Sequence, residues 1–469
     1  MNRLMAMLLI AVSVSAAEFQ NGQAARAVIG QASFSGHEAG IVAHALVVLR
    51  GRLYAADSAN HVLAFDTTKI PAPKDDLGDR QGPACALCGF APVSIANQSV
   101  MQGIAASAVF GKVVVIADTA NHRVLIWRGV NAAASGQKPD VTLSRGFAEP
   151  ASVAFDGKRL FVGDLALHRV LVWNALPAMD DQPADAVLGQ PDFTSSSVSE
   201  LGANTLRSPA ALASDGINLF VADAADRRIL VFTPGDNSLR GDAAVNSASL
   251  LTTPFAPGTL VTLRGAALSD AAEPVQPPES GTPALKLAGV EVFLDGTPLP
   301  LLAVSSDEVQ VQLPYDFGNA TAGSLYVRTE HSNGTVTVTN AIPLTFTATY
   351  PGIFAFGGSE PRSGLLLHAG APITSDSPAR PGETVTVWAA GLGVLTGDSK
   401  AEVATPVSAL VNGQPAEVVS ATLPPGAVGV YEVRVILPAD LASDDARLAI
   451  SQNGNASNIV TFPVESGSQ

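Results

Sequence analysis

VVVIADTANHRVLIWRG, residues 113–129, sets an aspartate, an asparagine, a histidine and an arginine close together between two apolar runs. The runs are of strand length and bounded by polar residues, so they read as two strands of one sheet. The cluster between them then has two readings. In the first it is a hairpin turn. Asp118 accepts backbone N–H bonds at the end of one strand, Asn121 takes the left-handed conformation of a tight turn, and His122 and Arg123 cover the start of the next strand. In the second, imidazole and carboxylate are metal ligands, which needs three or four such groups meeting at about 2 Å. Turn chemistry is preferred, because a turn repeated in every unit is expected from structure alone.

The unit does repeat. LYAADSANHVLAFD (53–66), LFVGDLALHRVLVWN (160–174) and LFVADAADRRILVFT (219–233) share its pattern. Asp57, Asp118, Asp164 and Asp223 align without gaps, Asn60 aligns with Asn121, and His61, His122 and His168 align with Arg227. Trp127 and Trp173 align with Phe65 and Phe232. A second signature lies upstream, in the near copies AVIGQASF (27–34) and AVLGQPDF (186–193). Between the two signatures sit short apolar runs that end in turns: HALVVLRG, ASVAFDG and AALASDG. One unit is therefore four strands, and four-stranded units at such a period are the mark of a β-propeller. The expected fold is all-β. It has a propeller of four blades over residues 18–240, a degenerate fifth blade being the alternative. The AVIGQASF strand would complete the last blade.

Residues 24 to 236 resemble the NHL-repeat family, whose units carry a D-x-x-N-H-R-[VI] core in a propeller blade. The second copy follows that core fully. Val62 stands where the family has arginine, and Leu167 and Asp226 stand where it has asparagine. These departures weaken any chemical role for the motif in every blade.

The remainder of the sequence has an internal echo. APGTLVTLRGAAL (256–268) matches RPGETVTVWAAGL (380–392), and VEVFLDGTPLPLLAVSSDEVQVQLP (290–314) matches VSALVNGQPAEVVSATLPPGAVGVYEVRVILP (407–438). Alternating strands with the turn signals Asp295-Gly296 and Asn412-Gly413 predict two immunoglobulin-like β-sandwiches, 250–349 and 350–469. Gly391 and Gly393 in AAGLGVL lack the helix and third glycine of a nucleotide loop and read as a strand-end turn. Through APGTLVTLRG, EVQVQLPY, YPGIFAF, RPGETVTVWAAGLG and NIVTFPV, this half resembles an acidobacterial (Solibacter-type) C-terminal domain family of uncharacterised function. That resemblance implies export and a two-lobed β-sandwich, and no reaction.

Residues 1–17 have the basic, apolar and small-residue order of a Sec-type signal peptide, with an apolar core too short to span a bilayer. The expected location is extracellular, periplasmic or at the cell surface, with no membrane span after cleavage. Cys85 and Cys88 are the only cysteines. Two cysteines at C-x-x-C spacing in an exported protein favour a local disulfide. A redox pair needs a helix after the first cysteine, and a zinc ribbon needs a second pair; GFAPVS and the rest of the sequence supply neither. The formal charge of −15 repels phosphate backbones, which argues against nucleic acid. No G-x-S-x-G, H-E-x-x-H or Walker loop occurs, and His37, His44, His331 and His368 have no Ser or Cys partner at a recognisable spacing. No cofactor and no catalytic residue is expected. The sequence reading is thus an exported, non-catalytic binding or adhesion protein, with the propeller facing a protein or glycan ligand and the sandwiches as spacer. The alternatives are a metal-dependent lyase or lactonase in the propeller channel, on fold analogy, and a structural envelope component.

Overall fold

The computed structural model describes residues 17–36, 40–57, 61–70, 72, 74–75, 93–97, 107–129, 132, 137–198, 200–252, 254–278, 284–397, 401–441 and 444–465. Residues 1–16, Asn60, Cys85 and Cys88 lie outside them, as does the side chain of His61. The fold is all-β.

The first half contains four antiparallel sheets of four strands each. The first sheet runs Ala43–Leu49, Arg52–Asp57, His61–Asp66, Val93–Asn97. The second runs Ser107–Phe110, Val113–Asp118, Arg123–Trp127, Val141–Leu143. The third runs Pro150–Phe155, Leu160–Asp164, Arg169–Trp173, Ala186–Leu188. The fourth takes Pro209–Ser214, Leu219–Asp223 and Arg228–Phe232, and draws its outer strand, Ala27–Ile29, from the start of the sequence, with Ala27 opposite Val231. The near copies AVIGQASF and AVLGQPDF therefore supply the same strand to different sheets. First strands lie against first strands: Ala43–Leu49 on Pro209–Ser214, that on Pro150–Phe155, and that on Ser107–Phe110.

Middle strands that are apolar but for one terminal charge follow from burial on both faces, since a strand presents alternate residues to opposite sides. Leu160–Asp164, Arg169–Trp173, Leu219–Asp223 and Arg228–Phe232 are buried at every position. Val115, Ile126, Leu143, Val162 and Trp173 form the core between the second and third sheets. Ile29, Leu53, Ala55, Phe220 and Ile229 do so between the fourth and first.

The echo in the second half is an echo of pairing. Leu260–Arg264 pairs with Glu308–Gln312, as Thr384–Ala390 pairs with Tyr431–Ile436. Val290–Leu294 lies beside Ala322–Glu330, and Ser408–Val411 beside Asp444–Gln452. Ile342–Thr345 and Val460–Val464 follow in the same places. In the first lobe two separate sheets share an apolar core, Val261 and Val311 with Val292 and Val327, whereas in the second the equivalent strands belong to one continuous twelve-stranded sheet whose Val387, Val433, Leu448 and Phe462 share another. The hairpins turn on Asp295 (φ 52°) with Gly296 (φ 80°), and on Asn412 (φ 49°) with Gly413 (φ 81°). Both pairs have the two positive φ angles of a type I′ turn, which suits the twist of paired strands. Gly391 ends the strand Thr384–Ala390 at φ 77°, where a Cβ would lie 2.2 Å from the Tyr350 carbonyl oxygen.

The first half is joined to the first lobe through shared packing. Phe293, Tyr326, Val338 and Ala341 belong to one apolar cluster with Phe19, Val28, Phe161 and Leu230. The backbone follows suit: Ala24 N donates to Ala341 O at 3.0 Å, and Asp236 N to Val338 O at 2.7 Å. Gly235 exchanges N–H···O bonds with Glu18, and a Cβ there would lie 2.0 Å from Asn340 N. Backbone cannot yield to a methyl group, so Gly235→Ala is expected to destabilise by about 1–3 kcal/mol, the range for overpacked sites. Thermal unfolding of the full-length protein tests this. An unchanged melting profile would mean that the two parts do not unfold together.

Candidate functional site

The aligned polar residues lie at the turn between the second and third strands of each sheet. Asp57 ends the strand Arg52–Asp57, and His61 begins His61–Asp66. In the second sheet Asn121 Nδ2 donates to both carboxylate oxygens of Asp118, at 2.8 and 3.0 Å, and Arg123 Nε donates to Oδ2 at 2.7 Å. The Arg123 and Asn121 hydrogen bonds hold the Asp118 carboxyl below its ordinary range. The left-handed residue is His122, at φ 54°, rather than Asn121. A 3-10 turn, Thr119–Asn121, takes up the asparagine and moves the reversal one residue on, with His122 N–H closing on Thr119 O at 3.0 Å. His168 and Arg227 occupy the same conformation, each at φ 54°.

These side chains reach to the next sheet. His122 Nδ1 is hydrogen-bonded to the carbonyl of Ala148, ahead of the third sheet's first strand. His168 Nδ1 is hydrogen-bonded to the carbonyl of Arg207, ahead of the fourth's, at 2.6 Å. A carbonyl only accepts, so Nδ1 carries the proton in both rings. Arg227 offers its own carbonyl to Ile41 N (2.9 Å) and Gln31 Nε2 (3.1 Å). His122 and His168 therefore clamp neighbouring sheets. Among the described residues no group of three or more His, Cys, Asp or Glu is placed to hold a metal ion.

The aspartates go inward. Asp164 accepts from Ala148 N (2.8 Å) and Glu149 N (2.9 Å), and Asp223 from Arg207 N (3.0 Å) and Ser208 N (2.7 Å). Arg228 does not cover a strand start; it is fully buried. It donates to Asp223 Oδ2 at 3.2 Å from Nε and Nη2, to the carbonyls of Phe34 (2.7 Å) and Gly202 (2.9 Å) from Nη1, and to that of Thr205 (2.7 Å) from Nη2. Burial, and then the neighbouring Asp223, raise the Asp226 carboxyl. Arg169 and Arg228 and the glutamines Gln31 and Gln190 are the working polar residues that the sequence reading missed. The repeated G-Q-x-x-F was their signal: Phe34 and Phe193 offer carbonyls to Arg228 and Arg169, and Gln190 Nε2 donates to Ser197 O at 3.0 Å.

At the opposite end of the sheets lie the turns between first and second strands, because antiparallel strands alternate their ends. Here apolar side chains face solvent: Leu49 is 58% exposed, Phe110 53% and Ile217 51%. Phe110 meets the edge of Phe155 with ring centroids 6.0 Å apart, so the second and third sheets contribute to one aromatic patch.

Two histidines of the second half gain partners that spacing did not reveal. His368 Nδ1 lies 3.2 Å from Glu383 Oε1, and Nε2 lies 2.9 Å from Ser377 Oγ. His331 stands between Asp270 (2.7 Å) and Thr337 (2.8 Å) in the same manner. A hydroxyl, imidazole and carboxylate in series suggest nucleophilic catalysis, which also needs amide donors for the oxyanion. The amide of Ser377 already donates to Thr374 O at 3.0 Å. The contacts tie the strand Leu366–His368 to Ser377 and to Glu383, just ahead of the strand Thr384–Ala390. No helix among the described residues is long and apolar enough to cross a membrane.

No protein-family model matches the sequence, and no curated protein matches it. The computationally designed Ika8 protein is 14% identical over 44% of this chain, which spans 48% of that protein's length, with a TM-score of 0.20. The Bacteroides ovatus SGBP-B of a mixed-linkage glucan utilization locus, solved with a mixed-linkage heptasaccharide, is 12% identical over 45% of each protein, with a TM-score of 0.22. Fibronectin(III)-like modules of Clostridium thermocellum CbhA are 12% identical over 48% of this chain and 93% of theirs, with a TM-score of 0.15. These similarities are too distant to assign an activity.

Proposed function

We propose that the molecule is an exported binding protein. In this reading the four sheets are the blades of a four-bladed, NHL-type propeller, and residues 250–349 and 350–469 are immunoglobulin-like sandwiches that hold it away from a surface. The observation that carries it is the exposed apolar rim of Leu49, Phe110 and Ile217, at equivalent turns of three sheets. Solvent-facing apolar groups gathered at one end of a fold are a usual mark of recognition. The repeated polar turns, by contrast, are engaged within the molecule. A protein or a glycan face fits such a rim, since aromatic and aliphatic side chains anchor both.

The full-length protein is screened against purified envelope proteins, glycans and cell-wall polymers. The expected result is a ligand whose affinity falls at least tenfold in the double variant Leu49→Ser/Phe110→Ser, with an unchanged melting temperature. A ligand that binds the double variant as well as the wild type would overturn the rim as the site. Failure of the entire panel would overturn the binding reading.

A further inference from the structure

The repeat contains its own comparison between a filled and an open position. Arg169 and Arg228 occupy the same place in the third and fourth sheets. Each gives Nη1 to a carbonyl of the G-Q-x-x-F stretch, Phe193 or Phe34. Each gives Nη2 to the residue equally far ahead of the sheet's opening proline: Gly146 (2.7 Å) before Pro150, Thr205 (2.7 Å) before Pro209. There the likeness ends. Arg228 Nη1 also holds the carbonyl of Gly202, and Leu201 and Ala203 are buried beside it. The segment that supplies them belongs to the long connection 189–208. The matching connection into the third sheet is only 144–149.

What results is a cleft of about 510 Å³, lined by Leu143, Leu171, Trp173, Pro183 and Phe193, with Arg169 among its walls. Its volume falls in the small-ligand range of roughly 300–1,000 Å³. Arg169 is buried to within a few per cent, and from Nη1 it makes only the bond to Phe193 among the described residues, where Arg228 makes two. A buried donor without an acceptor is costly and uncommon.

We propose that this cleft binds a short, turn-forming, apolar peptide segment, whose backbone carbonyl accepts from Arg169 Nη1 as that of Gly202 accepts from Arg228 Nη1. The protein itself shows the occupant: Leu201-Gly202-Ala203 brings a leucine-sized group, a close backbone approach and a carbonyl in register with the guanidinium. The cleft is separate from the apolar rim and stands without it.

The probe is the synthetic peptide ELGANTLR, the sequence of residues 200–207, titrated into the full-length protein by calorimetry with a scrambled peptide as control. Saturable one-to-one binding is expected. Ala184→Phe, which fills the cleft and removes no interaction, is expected to weaken it at least tenfold, and so is Arg169→Lys. Phe110→Ser at the rim is expected to leave it unchanged. Absence of saturation, or equal affinity in Ala184→Phe, overturns the proposal. Oligosaccharides that bind in place of the peptide and are blocked by Ala184→Phe would overturn the peptide as occupant.

Discussion

Asp223→Ala lowers the unfolding temperature of the first half by on the order of 10 °C, while Asp118→Ala, the same residue two motifs earlier, barely moves it. The difference lies in where each carboxylate sits. Asp223 and Arg228 are both fully buried. Removing the carboxylate leaves a guanidinium that cannot reach water, together with the amides of Arg207 and Ser208 without their acceptor. Breaking a buried pair from one side costs about 3–5 kcal/mol, and each kcal/mol is worth roughly 2–4 °C in a domain of this size. Asp118 pairs with an Arg123 that is 42% exposed, so solvent replaces most of what is lost; such pairs contribute below about 1 kcal/mol. Differential scanning calorimetry of the two variants decides the point. Equal shifts would show that the buried network of the fourth sheet is no stronger than a surface pair.

The contrast between Asp118 and Asp223 also marks the limit of what the sequence conveys. Strands were legible because apolar runs of fixed length alternate with turn residues, and the Asp-Gly and Asn-Gly pairs named their own hairpins. The burial of Arg228 was not legible. A charged side chain is by default a surface residue, and the carbonyls of Phe34, Gly202 and Thr205, remote in sequence, join Asp223 in making its interior place tolerable. The same holds for His122. Its left-handed backbone depends on the 3-10 turn before it, and its ring partner, Ala148, belongs to another sheet. His368 and Ser377 meet only because the strands around them fold back, which no local spacing announces. The rim was invisible for a different reason. Leu49, Phe110 and Ile217 look like core residues in a linear reading, and only the topology brings their turns to one end.

Asp295→Asn is expected to raise stability at pH 8 and to leave it nearly unchanged at pH 4. Asp295 is the first residue of its turn and is almost wholly buried. Burial pushes its carboxyl up to about 7, against the pull of the Ser324 N–H that donates to Oδ1 at 2.7 Å. A raised carboxyl binds its proton more tightly in the folded state than in the unfolded one. Stability is therefore full below the unfolded value of 3.8, falls as pH climbs, and has lost the whole contribution once pH passes about 7. At about 1.4 kcal/mol per unit the loss amounts to a few kcal/mol. Asparagine removes the titration and keeps the turn. The second lobe shows that it fits: Asn412 accepts from Arg447 N at 2.8 Å and donates its own N–H to Arg447 O at 2.8 Å, as Asp295 does with Ser324. Urea unfolding of wild type and variant between pH 4 and 8 measures the effect. The curves should converge at the acid end, separate up to about pH 7 and run parallel beyond it, and curves parallel over the whole range would mean that Asp295 does not change its charge there.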